Sequence, residues 1–296
     1  MSKSERASLW QPILEPARDN AETFFRYPSP PLFRVHQKGF HPINAWWAAQ
    51  LSLLVYQESA QTRQAVLARV GMKETACYSW KGLHWSKFEM ESPEATVVCF
   101  RGTANIKHWL VNISTVMMPW DSGGLVHSGF RTAYDHLTKP LREELSAGEG
   151  SQPPLYFAGH SLGGALAQMA GTRFPAAGIY GFGAPRVGNP EFSRLLCDLP
   201  VYRIVNRSDL VPHLPHRMEI FGKFVYEHGG TGYWIGREGN LETQWENLDE
   251  RTRREARQPL TGLIAMFQNA QPPPCLSNHA PSAYVTALEK CLKGLV

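Results

Sequence analysis

Four short apolar runs constrain the fold of this chain more than any other feature. TVVCF (96–100), LYFAG (155–159), IYGFG (179–183) and VYRIV (201–205) are rich in β-branched and aromatic residues. Runs of this kind suit strands buried inside a sheet. Segments of helical periodicity lie between some of them, at 130–144, 164–173 and 191–196. Strands alternating with helices predict an α/β chain with a mostly parallel central sheet and helices on both faces.

The flanks are read the same way. Trp46, Ala49, Leu53 and Tyr56 recur at three- and four-residue steps, which predicts a helix from 42 to about 70, stopped at Gly71. The aromatic stretch 223–236 surrounds a Gly-Gly pair and predicts a hairpin, and the charge run 249–257 predicts a solvated helix face. A loop at 271–275 precedes a final amphipathic helix over 281–292. Residues 1–35, rich in proline and charge, predict an irregular arm, leaving 36–296 as a single domain.

Composition excludes several classes. A 43% hydrophobic and 19% charged chain of 296 residues is ordinary for a globular protein. The net charge of +4 comes without a block of Lys or Arg, so no nucleic-acid partner is expected. No run of 18 apolar residues occurs, so no transmembrane segment is expected. The five cysteines are scattered and lack metal spacing, which predicts reduced thiols and no metal site. The first residues lack an apolar core of the signal-peptide kind. The expectation is a cytoplasmic chain, or one exported without a cleavable signal.

The run LYFAG leads into Gly159-His160-Ser161-Leu162-Gly163, and small helix formers follow. Gly-x-Ser-x-Gly between a strand and a helix is the pattern of a nucleophile elbow. The turn is tight, so the residues two before and two after the serine must be small. A serine needs a base, and the base needs an orienting carboxylate. In this topology the acid and then the histidine follow the serine in chain order. Asp209 lies in the polar turn after VYRIV, where a sheet of this kind exposes its working groups. Asp198 precedes that strand and Asp249 lies in the charge run, which leaves Asp209 as the preferred acid.

Among eleven histidines, His279 lies in a polar loop before the last helix, where the base is delivered. His160 is expected to point away from the serine and to pack. His213 and His216 follow the acid too closely, and His228 belongs to the expected hairpin. The backbone N–H groups of Leu162 and Thr103 are the expected oxyanion donors, each worth about 3–4 kcal/mol of barrier.

Taken together, CFRGTANIKHWLVNI, VHSGFRTAY, FAGHSLGGALA, YGFGAPRVGN and RIVNRSDLVPHLP resemble the class 3 lipases, the family that includes the fungal triacylglycerol lipases. Without a signal peptide or evident cysteine pairs, the chain resembles bacterial members of that family more than the secreted, disulfide-bonded fungal ones. The resemblance implies an α/β-hydrolase fold, no cofactor, and hydrolysis of lipid carboxylic esters with transient contact at a lipid interface. It places Ser161, Asp209 and His279 on the family's triad and Thr103 and Leu162 on its oxyanion positions. It also implies a lid over about 104–112, where Ile106, Trp109, Leu110 and Ile113 form an apolar stripe at helical spacing. Asn112 departs from the family, which usually has aspartate there. The expected activity is that of a triacylglycerol lipase or esterase. Phospholipase A1 or acyltransferase chemistry on the same site is the alternative, and a non-catalytic lipase-like binding protein is a further one.

Overall fold

The computed structural model describes residues 11, 13, 21–27, 30–35, 37–103, 116–146, 152–215, 219–220, 223–244 and 271–293. The expected lid with Ile106, Trp109, Leu110 and Ile113, the charge run 249–257 and His216 lie outside the described residues. In chain order the strands are β1 Met72–Trp80, β2 Leu83–Glu91, β3 Glu94–Phe100, β4 Met117–Pro119, β5 Leu125–His127, β6 Leu155–His160, β7 Gly178–Phe182, β8 Val201–Asn206, β9 Glu219–Ile220, β10 Lys223–Phe224, β11 Thr231–Ile235 and β12 Leu241–Glu242. The helices are α1 Pro42–Leu54, α2 Ala60–Ala68, α3 Ser128–Ser146, α4 Leu162–Gly171, α5 Pro190–Cys197, α6 Pro274–Ser277 and α7 Pro281–Leu292.

Eight strands form one sheet in the order β1-β2-β3-β6-β7-β8-β11-β12. The stretch β3-β6-β7-β8-β11 is parallel, and β1, β2 and β12 add antiparallel edges. The four apolar runs are the centre of that sheet, as expected. Their side chains alternate between two cores. Val97, Cys99, Ala158 and Phe182 face α1 and α7. Val98, Phe100, Phe157 and Ile179 face α3, α4 and α5. A parallel sheet needs helices on both faces, so both sides of each strand can be apolar. Every residue of α1 after Pro42 is buried, which suits a helix enclosed on all sides. Asn189 caps α5 by accepting the Phe192 N–H at 3.0 Å, and Pro190 follows at the first helical position.

Three features differ from expectation. The helix expected over 42–70 is two helices. Val55 closes α1, and the Ser59 hydroxyl restarts the chain by accepting the Thr62 N–H at 3.1 Å. Arg63 fixes the bend between them by donating to the carbonyls of Gln57 and Glu58 at 2.7 and 3.2 Å. The expected hairpin around Gly229-Gly230 is absent, because β11 joins β8 in parallel. The Gly229 carbonyl accepts from buried Arg203 at 2.8 Å, and Gly230 has φ +69°. The pair therefore steers the chain onto the sheet rather than back on itself.

The third feature is the β1–β2 hairpin, which was not expected. It turns at Lys81-Gly82, with φ +45° and +85°. Across it runs a chain of polar contacts. Ser79 Oγ lies 2.7 Å from His84 Nδ1, and His84 Nε2 lies 2.8 Å from Ser86 Oγ. Ser86 donates to Glu74 at 2.5 Å, and Glu74 pairs with Arg63 at 2.9 Å with both side chains 7% exposed. Burial, then Arg101 and Arg63, push the His84 imidazole down to about 4.

The described part of the N-terminal arm packs into the main core. Phe24, Phe25, Phe33 and Val35 are buried against the α1 side. Trp47 donates to the Pro31 carbonyl at 2.8 Å, and Asn44 bonds the Arg34 backbone in both directions at 2.8 and 3.0 Å.

Candidate active site

Three strand ends and one loop converge at the carboxyl edge of the parallel sheet. Ser161 follows β6 with φ +57° and ψ −125°, a strained backbone for a non-glycine residue. Its N–H is held by the Phe182 carbonyl at 2.8 Å. A side chain at Gly159 would overlap the backbone of Gly163 and Gly164, and one at Gly163 would overlap the Phe100 carbonyl. The small residues of the motif are therefore a steric requirement of the turn. Leu162 is the first residue of α4, and its N–H belongs to the first-turn donors that a helix leaves without an internal partner.

Asp209 is fully buried in the turn after β8. Its carboxylate accepts from three donors. His279 Nδ1 lies 2.9 and 3.0 Å from its two oxygens, Tyr284 Oη donates at 2.5 Å, and the Val211 N–H donates at 2.9 Å. These three donors satisfy the acceptor oxygens of a carboxylate that is out of reach of solvent. Burial and the Asp209 charge push the Tyr284 phenol well above its ordinary value, so it serves as a donor. The acid and histidine loops are joined directly. Asn206 Nδ2 donates to the Asn278 carbonyl at 3.0 Å, Asn278 Nδ2 to Ser208 Oγ at 2.9 Å, and the Leu210 N–H to the Cys275 carbonyl at 3.1 Å.

With a carboxylate facing Nδ1, the His279 proton belongs on Nδ1 and the lone pair on Nε2. His279 is 2% exposed and Ser161 1% exposed, yet His279 Nε2 and Ser161 Oγ have no hydrogen-bond partner among the described residues. Buried polar atoms without partners are rare in folded proteins. Here a free base nitrogen and a free hydroxyl occur in one small region. Gly183 allows this crowding. At φ +58° it has no side chain, and a methyl there would lie 2.6 Å from Asp209 Oδ2, 2.9 Å from Tyr284 Oη and 3.0 Å from His279 Nδ1.

The other candidates are placed as follows. Thr103 is described at the end of the β3 extension, next to Gly102. His213 is half-buried, and its carbonyl accepts from Arg186. His228 is half-buried and bonds the Pro212 carbonyl at 2.7 Å through Nε2. Burial and Arg203 hold its imidazole well below the ordinary value. His160 does more than pack. Its Nε2 lies 2.6 Å from the His279 carbonyl and its Nδ1 3.1 Å from Tyr56 Oη. Gly183, Tyr284 and Tyr56 were not among the expected site residues. The second glycine of IYGFG was the available signal for Gly183. Tyr56 and Tyr284 were legible only as apolar-face residues of their helices.

Part of the chain matches a known protein family. Residues 97–219 match the family model described as lipase (class 3). Secreted mono- and diacylglycerol lipase 1 of Fusarium solani is 33% identical over 149 residues, covering 47% of this chain and 43% of that protein. The chloroplastic phospholipase A(1) DAD1 of Arabidopsis thaliana is 28% identical over 200 residues, covering 58% of this chain and 40% of that protein. The chain thus spans about two fifths of the length of these curated relatives. Among solved structures, lipase II of Rhizopus niveus superposes with a TM-score of 0.52 at 25% identity, covering 65% of this chain and 77% of that one. Residues 97–219, which run from β3 past the Asp209 turn to β9, thus resemble the class 3 lipases, and the chain has an α/β-hydrolase fold.

Proposed function

We propose that this protein hydrolyses carboxylic esters of lipids through an acyl-enzyme on Ser161, with Asp209 and His279 completing the triad. One observation carries the reading: Ser161 Oγ and His279 Nε2 are buried with no partner among the described residues, and the other nitrogen of the His279 ring is held by a fully buried carboxylate. His279 Nε2 takes the Ser161 proton as Oγ attacks the ester carbonyl. The N–H groups of Leu162 and Thr103 receive the oxyanion, and His279 then protonates the leaving alcohol. Water deacylates the serine by the same route in reverse. Asp209 fixes the tautomer and stabilises the imidazolium. No step needs a cofactor.

Acylglycerols are the proposed substrates, supported by the mono- and diacylglycerol lipase among the relatives. The segment around Ile106, Trp109, Leu110 and Ile113 is proposed as the lid that meets a lipid interface. The phospholipase A(1) relative supports a second reading, in which the same site cleaves phospholipid. The five free thiols support a reducing compartment.

The test is Ser161→Ala with a panel of triacylglycerol, diacylglycerol, phospholipid and p-nitrophenyl esters. The parent is expected to turn over acylglycerols fastest, and the variant to lose about 10^3-fold or more on every ester. A variant with parent rates overturns the triad. A phospholipid rate above the acylglycerol rates moves the assignment to the second reading.

A further inference from the structure

The proposed triad leaves one buried histidine of the elbow without a role. His160 is 3% exposed, precedes Ser161 in the chain and contacts His279. Its ring centroid is 4.5 Å from that of His279. A carbonyl oxygen can only accept, so His160 Nε2, 2.6 Å from the His279 carbonyl, carries the proton. Burial and the neighbouring His279 hold the ring neutral. Nδ1 is therefore a lone pair, and Tyr56 Oη, 3.1 Å away, must donate to it. Burial keeps the Tyr56 phenol protonated, and its oxygen accepts the N–H of Gly102. Each proton position follows from the last. The chain reads Gly102 N–H to Tyr56 Oη–H to His160 Nδ1, then Nε2–H to the His279 carbonyl.

This chain joins elements that are far apart in sequence. Gly102 precedes Thr103 in the proposed oxyanion turn, and Tyr56 lies just beyond α1. His160 is the neighbour of Ser161, and the far end is the backbone of the base itself. The contacts span 104 and 119 residues. Asp209 controls the ring of His279, whereas this chain controls its main chain and refers it to the oxyanion turn.

We infer that Tyr56 and His160 are positioning residues, which hold the oxyanion turn and the His279 backbone in register on either side of Ser161. The inference rests on the triad reading proposed above.

Tyr56→Phe keeps the ring and its packing and removes one hydroxyl. His160→Gln keeps an N–H donor and an oxygen acceptor, and His160→Leu keeps neither. Steady-state rates on a water-soluble p-nitrophenyl ester are normalised to active sites titrated with a fluorophosphonate, so unfolded molecules do not count. Tyr56→Phe is expected to lower kcat about tenfold with KM within about twofold, the loss typical of one misplaced hydrogen-bonding group. His160→Gln is expected to keep at least about tenfold more kcat than His160→Leu. Parent kcat in Tyr56→Phe overturns the inference, as does a rise in KM alone or equal kcat in the two His160 variants. Should His160→Leu yield no folded protein, the Tyr56→Phe result decides. If the Ser161→Ala variant itself keeps parent activity, the triad reading has failed. If that variant is inactive and Tyr56→Phe is normal, only the positioning role has.

Discussion

Among the described residues, two places bring together a serine, a histidine and a buried acid, and they differ in how their hydrogen bonds are used. On the β1–β2 hairpin, Ser79, His84, Ser86 and Glu74 form a chain that ends on Arg63. At the carboxyl edge of the sheet, Asp209 holds His279 at 2.9 Å, and Ser161 follows strand β6. The hairpin chain is closed. Arg63 keeps Glu74 an acceptor, so Ser86 donates to it, His84 Nε2–H donates to Ser86, and His84 Nδ1 receives Ser79. Every polar atom of that histidine is used. The sheet-edge group is open, with Nε2 and Oγ both buried and without a partner among the described residues. Residue types alone do not distinguish the two; unsatisfied hydrogen-bonding capacity does.

The contrast can be broken most forcefully by substituting the two acids. Asp209→Asn removes the carboxylate that selects the His279 tautomer and should lower kcat by about 10^4, with little change in unfolding. Glu74→Gln should do the reverse. It leaves Arg63 buried without its counter-charge, at a cost of about 3–5 kcal/mol in urea unfolding, while kcat per active site stays within about twofold. Comparable losses of kcat in both variants would erase the distinction.

Acid titration sharpens it next. His84 is held near 4, below its ordinary 6.5, so the fold prefers the neutral ring. Its stabilisation is complete above about pH 6.5 and is lost as pH falls from there through 4, amounting to about 3 kcal/mol. His160 and His228 are depressed as well and act in the same direction. The difference between parent and His84→Gln, followed by urea midpoints from pH 7.5 to 4, isolates the hairpin histidine. That difference should shrink as pH falls.

The smallest effect belongs to Ser79. Its side chain is exposed, so water replaces the lost hydroxyl when it becomes alanine. Activity should stay within about twofold, and stability within about 1 kcal/mol by thermal unfolding. A large loss of activity would mean that the closed chain also takes part in the chemistry.

The same contrast explains what could be read from the sequence. The central strands were legible because burial on both faces leaves an unbroken apolar run, as in Val97–Phe100. β1 and β2 were not, because an edge hairpin mixes Lys73, Glu74, Ser79 and His84 into its faces and loses that signature. The Gly-Gly of 229–230 suggested a turn, but only the contact with Arg203 on β8 shows which way the chain leaves it. At the candidate site, Ser161 was legible because steric crowding writes glycines at fixed offsets. Asp209 and His279 were legible through chain order. Tyr56, His160 and Tyr284 act through partners 75 to 119 residues away, and no local pattern encodes such distances.

His279 meets Asp209 across 70 residues of chain, in the turn just before α7. The elbow and the acid turn are complete once β8 has left the ribosome, but the base emerges much later and is seated only when α7 docks. A nascent chain therefore carries Ser161 without His279 through about two fifths of its synthesis. For the proposed ester hydrolysis, turnover would begin only after the carboxyl-terminal helix is in place, so the order of translation itself would hold that chemistry off until the sheet is built.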